Sequence, residues 1–468
     1  GRVEVTVPPT ASKLVDTLHT TLAHILINRD GPAIQPGSRT YSRSWIRDGA
    51  LTSDSLLQLG HTEEVRDFLT WYAPYQLPDG RIPCCVDRRG ADPVPEHDSN
   101  GEFIYAVAEY YRFTRDVGFV HRMWPAVMRA VDWIAAARAT RTTKEFREPG
   151  RLVFFGLLPE SISHEGYSSH PVHSYWDDFF ALRGLKDAAE LARVIGDEAR
   201  ASDVAVLRDA FRDDLVASIR RVMETRATDY LPASVELADF DPSATAIAVT
   251  IAGMLPDLPR DALDRTFDRY WSTVEERAHG SGTSGSYSPY ELRNVEALVR
   301  LGRRERAYEL LTAIFRDQRP AAWNQWAEIV WRDPGAPRFI GDMPHTWVGS
   351  SFVRALRTML AYEREEDRAL VLASGVPAEW LAGDGPGVGV KRLPTYFGVL
   401  TYTLRPEGDG ALRLRLSGDL SVPPGGIVLM PPLPRALTAV TVNGTPLTDF
   451  TADAATIREF PADVVLEY

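Results

Sequence analysis

Cysteine is nearly missing from this chain: two residues in 468, and those two are neighbours, Cys84 and Cys85. Adjacent thiols build neither a disulfide framework nor a zinc-ligand spacing. Long apolar runs are missing as well. No stretch approaches the roughly 18 apolar residues of a membrane helix, so no membrane insertion is expected. A basic surplus is also absent: 52 Lys and Arg stand against 64 Asp and Glu, a net charge of -12, without the basic stripe that a nucleic-acid surface needs. A neutral ligand suits such a chain better. No GxGxxG, P-loop, HExxH, calcium-loop or GxSxG pattern occurs, which removes the sequence grounds for dinucleotide, nucleotide, zinc-protease, calcium or serine-hydrolase sites. The opening GRVEVTVPP has neither the basic nor the apolar region of a signal peptide. A mature secreted protein would open the same way, so the compartment, cytoplasmic or secreted, stays open. The strand-like VEVTV run at 3–7 reads equally as a cut from a longer polypeptide.

What is present is an ordinary globular balance, 44% hydrophobic and 25% charged residues, with ample material for a large core. Apolar residues recur at i, i+3, i+4 and i+7 in twelve segments, near 10–28, 45–59, 62–76, 101–116, 118–140, 175–195, 197–224, 242–254, 259–277, 289–302, 303–317 and 346–364. Read as six hairpins with the first helix outer and the second inner, they predict a mainly α fold, an (α/α)6 toroid. Asp241-Pro242 and Ser288-Pro289 each offer an N-cap followed by proline at the first helical position. The hairpins recur at uneven intervals, which argues against a regular solenoid. Beyond residue 373 Gly and Pro rise, and short alternating runs with NG and DG turns predict an antiparallel β-sandwich. The expected division is a catalytic domain over 1–373 and a structural accessory over 374–468.

Six stretches rich in Trp, Asp, Glu and His fall at or just before the inner segments: 41–48 (YSRSWIRD), 96–102 (EHDSNGE), 170–178 (HPVHSYWDD), 239–243 (DFDPS), 286–291 (SYSPYE) and 323–347 (WNQWAEIVW to GDMPHTW). If the inner helices all run the same way, these stretches share one face and line a carbohydrate-sized cleft. Trp176-Asp177-Asp178 opens one inner helix; capping a turn does not require two acids, an indole and two nearby histidines. Glu328 stands among Trp323, Trp326 and Trp331 on a loop broken by Pro and Gly, although the indoles read equally as core. Tyr41, Trp45, Arg47 and Asp48 offer ring faces, a cation and an anion suited to vicinal hydroxyls, while Arg47 and Asp48 read equally as a pair that neutralise each other. Glu102 and Glu160 are further acids expected to reach substrate, and His345 and Trp347 close the last stretch. His97 with Asp98, or His170 with His173, offer donor atoms but no closed ligand set. Neither a metal nor a cofactor is expected.

Four short runs in and beyond these stretches resemble the inverting six-hairpin glycoside hydrolases, most nearly the glucoamylases and more distantly the trehalase-like and glucosidase-I-like enzymes. The resemblance covers element order over about 9–365. WIRDGA resembles the segment whose Arg-Asp pair grips the innermost sugar, which implies that role for Arg47 and Asp48. SYWDDFFALRGLKDAAELA resembles the segment carrying the general acid after a Trp, which implies Asp177. WAEIVW, followed by PHTWVGSSFVRAL, resembles the segment with the general base before the last barrel helix, which implies Glu328. Two departures stand out: glucoamylases usually carry Glu as the acid, and here the β region follows the helices.

The chemistry implied is a single displacement on an oligo- or polysaccharide. One carboxyl protonates the leaving oxygen and one carboxylate activates water, about 6.5–9.5 Å apart. Asp177 should then face a cavity, with Trp176 and Asp178 raising its pKa through desolvation and like charge. A pocket closed by six loops favours exo attack, with an α-glucoside or related hexoside as substrate. Three rivals remain at this stage. A phosphorylase would use Gly349-Ser350-Ser351 for phosphate, an epimerase or lyase would use His345 and His173 as its acid/base pair, and a glycan-binding protein would have a Trp-lined cleft without turnover.

Overall fold

A computed structural model describes residues 3–164, 166–280, 285–333, 335, 339–382, 385–408, 410–433 and 435–468. The twelve periodic segments form α1 (Ser12–Ile27), α2 (Ile46–Gln58), α3 (Thr62–Tyr72), α4 (Ser99–Thr114), α5 (Val117–Ala139), α6 (Tyr175–Val194), α7 (Glu198–Arg226), α8 (Pro242–Thr250), α9 (Arg260–Ala278), α10 (Leu292–Arg300), α11 (Arg304–Arg316) and α12 (Thr346–Leu360). Even-numbered helices such as α2 and α12 are buried at every position, whereas odd-numbered ones such as α3 and α11 bury a single stripe. Each even helix packs on the next, α2 on α4, then α6, α8, α10, α12 and back to α2, so the six close a ring. The odd helices lie outside it, α3 to α11 against their neighbours in sequence and α1 against α12. Between α4 and α6 the approach depends on glycine: a Cβ on Gly101 would lie 2.0 Å from the Phe180 carbonyl oxygen, and one on Gly184 2.8 Å from the Gly101 Cα.

N-caps open two of the segments where the sequence placed them. Asp241 Oδ1 accepts the N–H groups of Ser243 and Ala244 at 2.8 and 3.2 Å, and Ser288 Oγ accepts that of Tyr290 at 3.3 Å. Three segments end about four residues early, the third at Tyr72, the eighth at Thr250 and the last at Leu360. The last helix, expected to run to 364, stops at Leu360, and Ala361–Arg364 continues as a strand paired with Ala369–Leu372. Apolar periodicity could not show this, because Ala361 and Tyr362 are buried as strand residues just as helix residues before them are.

Those strands belong to a four-stranded sheet ordered Ala455–Ile457, Ile427–Leu429, Ala369–Leu372, Ala361–Arg364. Its central pair, Ile427–Leu429 with Ala369–Leu372, is parallel, which departs from the antiparallel expectation. A second sheet of seven strands is antiparallel throughout and runs Glu4–Thr6, Val388–Thr395, Gly398–Pro406, Ala411–Leu420, Ala462–Glu467, Ala439–Val442, Thr445–Pro446. The sheets thus draw chain from both sides of residue 373. The expected NG turn is present, with Asn443 and Gly444 at φ 52° and 80° between the last two strands of the larger sheet. The DG turn residues Asp384 and Asp409 lie outside the described residues.

The C-terminal halves of the inner helices carry a buried ion network. Arg354 sits on Glu296 at 3.1 Å and on Asp54, while Arg112 and Arg183 share Asp187. Tyr396, from the turn between two strands of the larger sheet, donates its hydroxyl to Glu109 there at 2.7 Å. The larger sheet therefore lies against this end of the ring, where the network and Tyr396 line a cavity of about 740 Å³.

Candidate active site

The opposite end is open. N-terminal turns of inner helices and the loops before them enclose a cavity of about 450 Å³. The expected residues Tyr41, Trp45, Arg47, Asp48, Trp176, Glu328, His345 and Trp347 line it. Phe240, Asp241, Ser288, Tyr290 and Glu291 join them from the two stretches in which no residue had been expected to touch substrate, and His164 and Arg293 lie outside every stretch.

Arg47 does not simply neutralise Asp48. Its Nη1 lies 2.5 Å from Glu96 and 3.6 Å from Asp98, and its Nε is 3.7 Å from Asp48. Burial disfavours the cation, but Glu96, Asp98 and Asp48 outweigh it and hold the pKa well above the ordinary value. Asp98 also accepts the Trp176 indole N–H at 2.8 Å, and His164 stacks on that indole with ring centroids 4.6 Å apart. The 96–102 stretch therefore builds the wall from behind. Trp45 packs on the buried Cys84 and Cys85.

Glu328 is held from several directions. Tyr41 Oη donates to its Oε2 at 2.6 Å. The backbone carrying Tyr41 is itself clamped by Asp342, whose carboxylate accepts the N–H groups of Arg39, Thr40 and Tyr41 at 2.7, 2.9 and 3.2 Å. Gly341, at φ 67°, passes so close that a Cβ would lie 2.2 Å from Glu328 Oε2, so only glycine leaves the carboxylate its place. His345 caps α12 through Nδ1, which accepts the Val348 N–H at 3.4 Å. Its Nε2 then carries the proton toward Tyr290 Oη, 3.4 Å away. Burial pushes the His345 pKa down to about 3, so the ring is neutral.

Other expected residues lie elsewhere. Asp177, expected to face the cavity, is 1% exposed and sits behind Trp176, accepting from the hydroxyls of Ser163, at 2.7 Å, and Ser161. Burial raises its pKa well above normal, helped more by Asp98 than by Asp178 and opposed by the two serines. Asp178 is turned to the Leu158 N–H at 2.9 Å. Glu102 is fully buried behind the wall, with neither oxygen hydrogen-bonded. Glu160 pairs with Arg141 at the surface. Trp323 is 63% exposed. Trp326 is core, packed 5.1 Å from Phe315 and 5.4 Å from Phe352, with its N–H on Thr21. A helical or loop pattern reports that an indole is present but not which way it turns.

Burial also raises the pKa of Asp241, against the two backbone N–H groups it accepts. Among the described residues, Glu160, His173 and Glu236 come close enough to share an ion. Arg141 stands in that group already, its Nε 3.0 Å from His173 Nε2 and its guanidinium on Glu160.

No protein family matches the chain, and no curated protein matches it in sequence. Solved structures match its fold. An α-L-rhamnosidase from Dictyoglumus thermophilum superposes with a TM-score of 0.67 at 11% identity, covering 100% of this chain and 50% of that one. The Streptomyces avermitilis α-L-rhamnosidase complexed with L-rhamnose gives 0.63 at 14%, covering 100% and 42%. A structure described as "Glycosidase Wild Type" gives 0.54 at 13%, covering 75% and 98%. The chain thus spans about half the length of the rhamnosidase structures it matches. At these identities the likeness is one of fold, and the resemblance to glucoamylases rests on the sequence motifs alone.

Proposed function

We propose that this chain is an inverting, exo-acting glycoside hydrolase built on an (α/α)6 toroid, with the β-sheets as a structural accessory. One observation carries the reading: a carboxylate held by Tyr41, whose backbone Asp342 clamps, and crowded by Gly341 lines an indole-lined, sugar-sized cavity that Arg47 and Asp48 also line. Glu328 is the general base. Arg47 and Asp48 grip the reacting sugar, and the surrounding rings supply apolar faces for it. An α-hexoside is the substrate class, and the rhamnosidase structures that share the fold add α-L-rhamnosides to the α-glucosides favoured by the motifs.

Two carboxyls compete for the role of acid on different grounds. Asp177 follows from the resemblance but stands behind Trp176. Asp241 lines the cavity itself, and its raised pKa favours the protonated form. Asn variants separate them. Loss of the acid should lower turnover of an unactivated glycoside by about 10²–10⁴ while sparing a dinitrophenyl glycoside, whose leaving group needs no proton. A variant without that contrast is not missing the acid.

The rivals lose their supports. Ser350 and Ser351 donate to the Trp347 carbonyl oxygen at 2.7 and 3.3 Å inside α12, so they form no phosphate cradle. His173 is tied to Glu236 at 2.7 Å and is not among the residues lining the cavity with His345. Turnover of aryl α-L-rhamnosides or α-D-glucosides, abolished by Glu328→Gln, supports the hydrolase. Tight glycan binding without turnover across a broad panel would leave a binding protein.

A further inference from the structure

Six arginines are buried among the described residues: Arg47, Arg112, Arg183, Arg293, Arg354 and Arg357. Five rest on carboxylates: Arg47 on Glu96, Arg112 and Arg183 on Asp187, Arg354 on Glu296, Arg357 on Glu363. Arg293 is the exception. It is 4% exposed, no described carboxylate reaches it within ion-pair distance, and its Nε and Nη2 have no hydrogen-bond partner. Rings clasp it instead, with the guanidinium carbon 4.3 Å from the centre of Trp347, 4.7 Å from Tyr290 and 5.4 Å from Trp176. Aromatic faces compensate only part of what a desolvated cation loses.

This cation lines the cavity, in the first turn of α10, where the helix dipole adds to its positive potential. Burial pulls its pKa down to about 10, against the attraction of Asp241 and Asp48 acting through space, so the charge persists at any pH below that. A neutral hydroxyl would leave this charge without an ion-pair partner. A dianion would meet Asp48, Asp241 and Glu328 across the same cavity. A single planar carboxylate satisfies the guanidinium and adds only one negative charge.

We infer that the substrate brings the missing counter-ion: the glycoside handled by this cavity carries a carboxylate, which docks on Arg293. The inference rests on the glycoside hydrolase reading. The carboxylate belongs either to the sugar, as in a uronide, or to the leaving group, as in a hexoside of a 2-hydroxy acid. Arg293 is then a determinant of specificity and takes no part in bond cleavage.

Calorimetric titration tests this without requiring turnover. D-glucuronate is compared with D-glucose for a carboxylate on the sugar, and lactate with propane-1,2-diol for one on the leaving group. One acid probe should bind the wild-type protein at least about tenfold more tightly than its neutral partner, and the pair showing the preference identifies where the carboxylate sits. Arg293→Met should remove the preference and Arg293→Lys should keep part of it. Equal binding of acid and neutral probes in both pairs, or binding of none, overturns the inference, as does a folded Arg293→Met that keeps the preference. The wild-type comparison stands even if a variant fails to fold. Hydrolysis of neutral glycosides would then still uphold the hydrolase reading, whereas carboxylate preference without hydrolysis of any glycoside would sink that reading alone.

Discussion

Tyr41 and Glu102 show how differently two residues from neighbouring motifs can behave. The Tyr41 hydroxyl on Glu328 is a bond to a charged acceptor, worth about 1.5–3 kcal/mol in such settings. Tyr41→Phe should therefore lower kcat by about tenfold or more with a smaller effect on KM, because the proposed base loses its orientation while the proposed sugar grip at Arg47 and Asp48 stays. Unchanged kcat in steady-state assays would remove Tyr41 from the account. Glu102 was expected at the substrate and is sealed behind the wall instead. Its burial, with Asp98 adding like charge, raises its pKa well above normal against the pull of Arg47. The folded state then holds a proton that the unfolded chain has released, so stability falls as pH rises from the ordinary carboxylate range upward. Each tenfold gap in proton affinity is worth about 1.4 kcal/mol. Glu102→Gln should flatten that slope in denaturant titrations between pH 5 and 8 and be the more stable protein at the upper end; a slope identical to wild type would contradict the assignment. Sequence alone could not separate these two fates, since both residues sit in acid- and aromatic-rich stretches. Arg293 and His164 escaped notice for the opposite reason: neither stands in a motif, and only the fold brings them to the cavity.

At the level of elements the sequence was far more legible. Twelve helices follow twelve periodic segments, and Asp241 and Ser288 cap where Asp-Pro and Ser-Pro stand. The reason is physical: a helix that must bury one stripe, or all of its surface, writes that need into every third or fourth residue. Contacts between elements leave fainter marks. Nothing around Gly101 or Gly184 announces that α4 and α6 meet there at backbone distance. Gly101→Ala should destabilise the protein by about 1–3 kcal/mol through overpacking, despite the better helix propensity of alanine. Gly280→Ala, where a Cβ meets nothing within 4 Å, serves as a comparison for a glycine with room but with φ 73°. A Gly101→Ala protein melting at or above the wild-type temperature would mean that the two helices can separate without loss.

On the scale of the whole molecule, Tyr396 and the ion network around Glu109 and Arg354 stand at one end of the ring, and the candidate site stands at the end where the inner helices begin. Attack from one side on a sugar held in that site is the central claim, and it carries a stereochemical consequence that does not depend on which hexoside is bound. If Glu328 activates water on the ring face opposite the proton donor, a single displacement must release the sugar with its anomeric configuration reversed. Were Glu328 a nucleophile, the acid would have to stand about 5–5.5 Å away, and the configuration would be retained through a covalent intermediate. Proton NMR of the first-formed product, read before mutarotation, decides between them. The account predicts initial accumulation of the inverted anomer; first appearance of the retained anomer, or a glycosyl adduct trapped on Glu328, would contradict it.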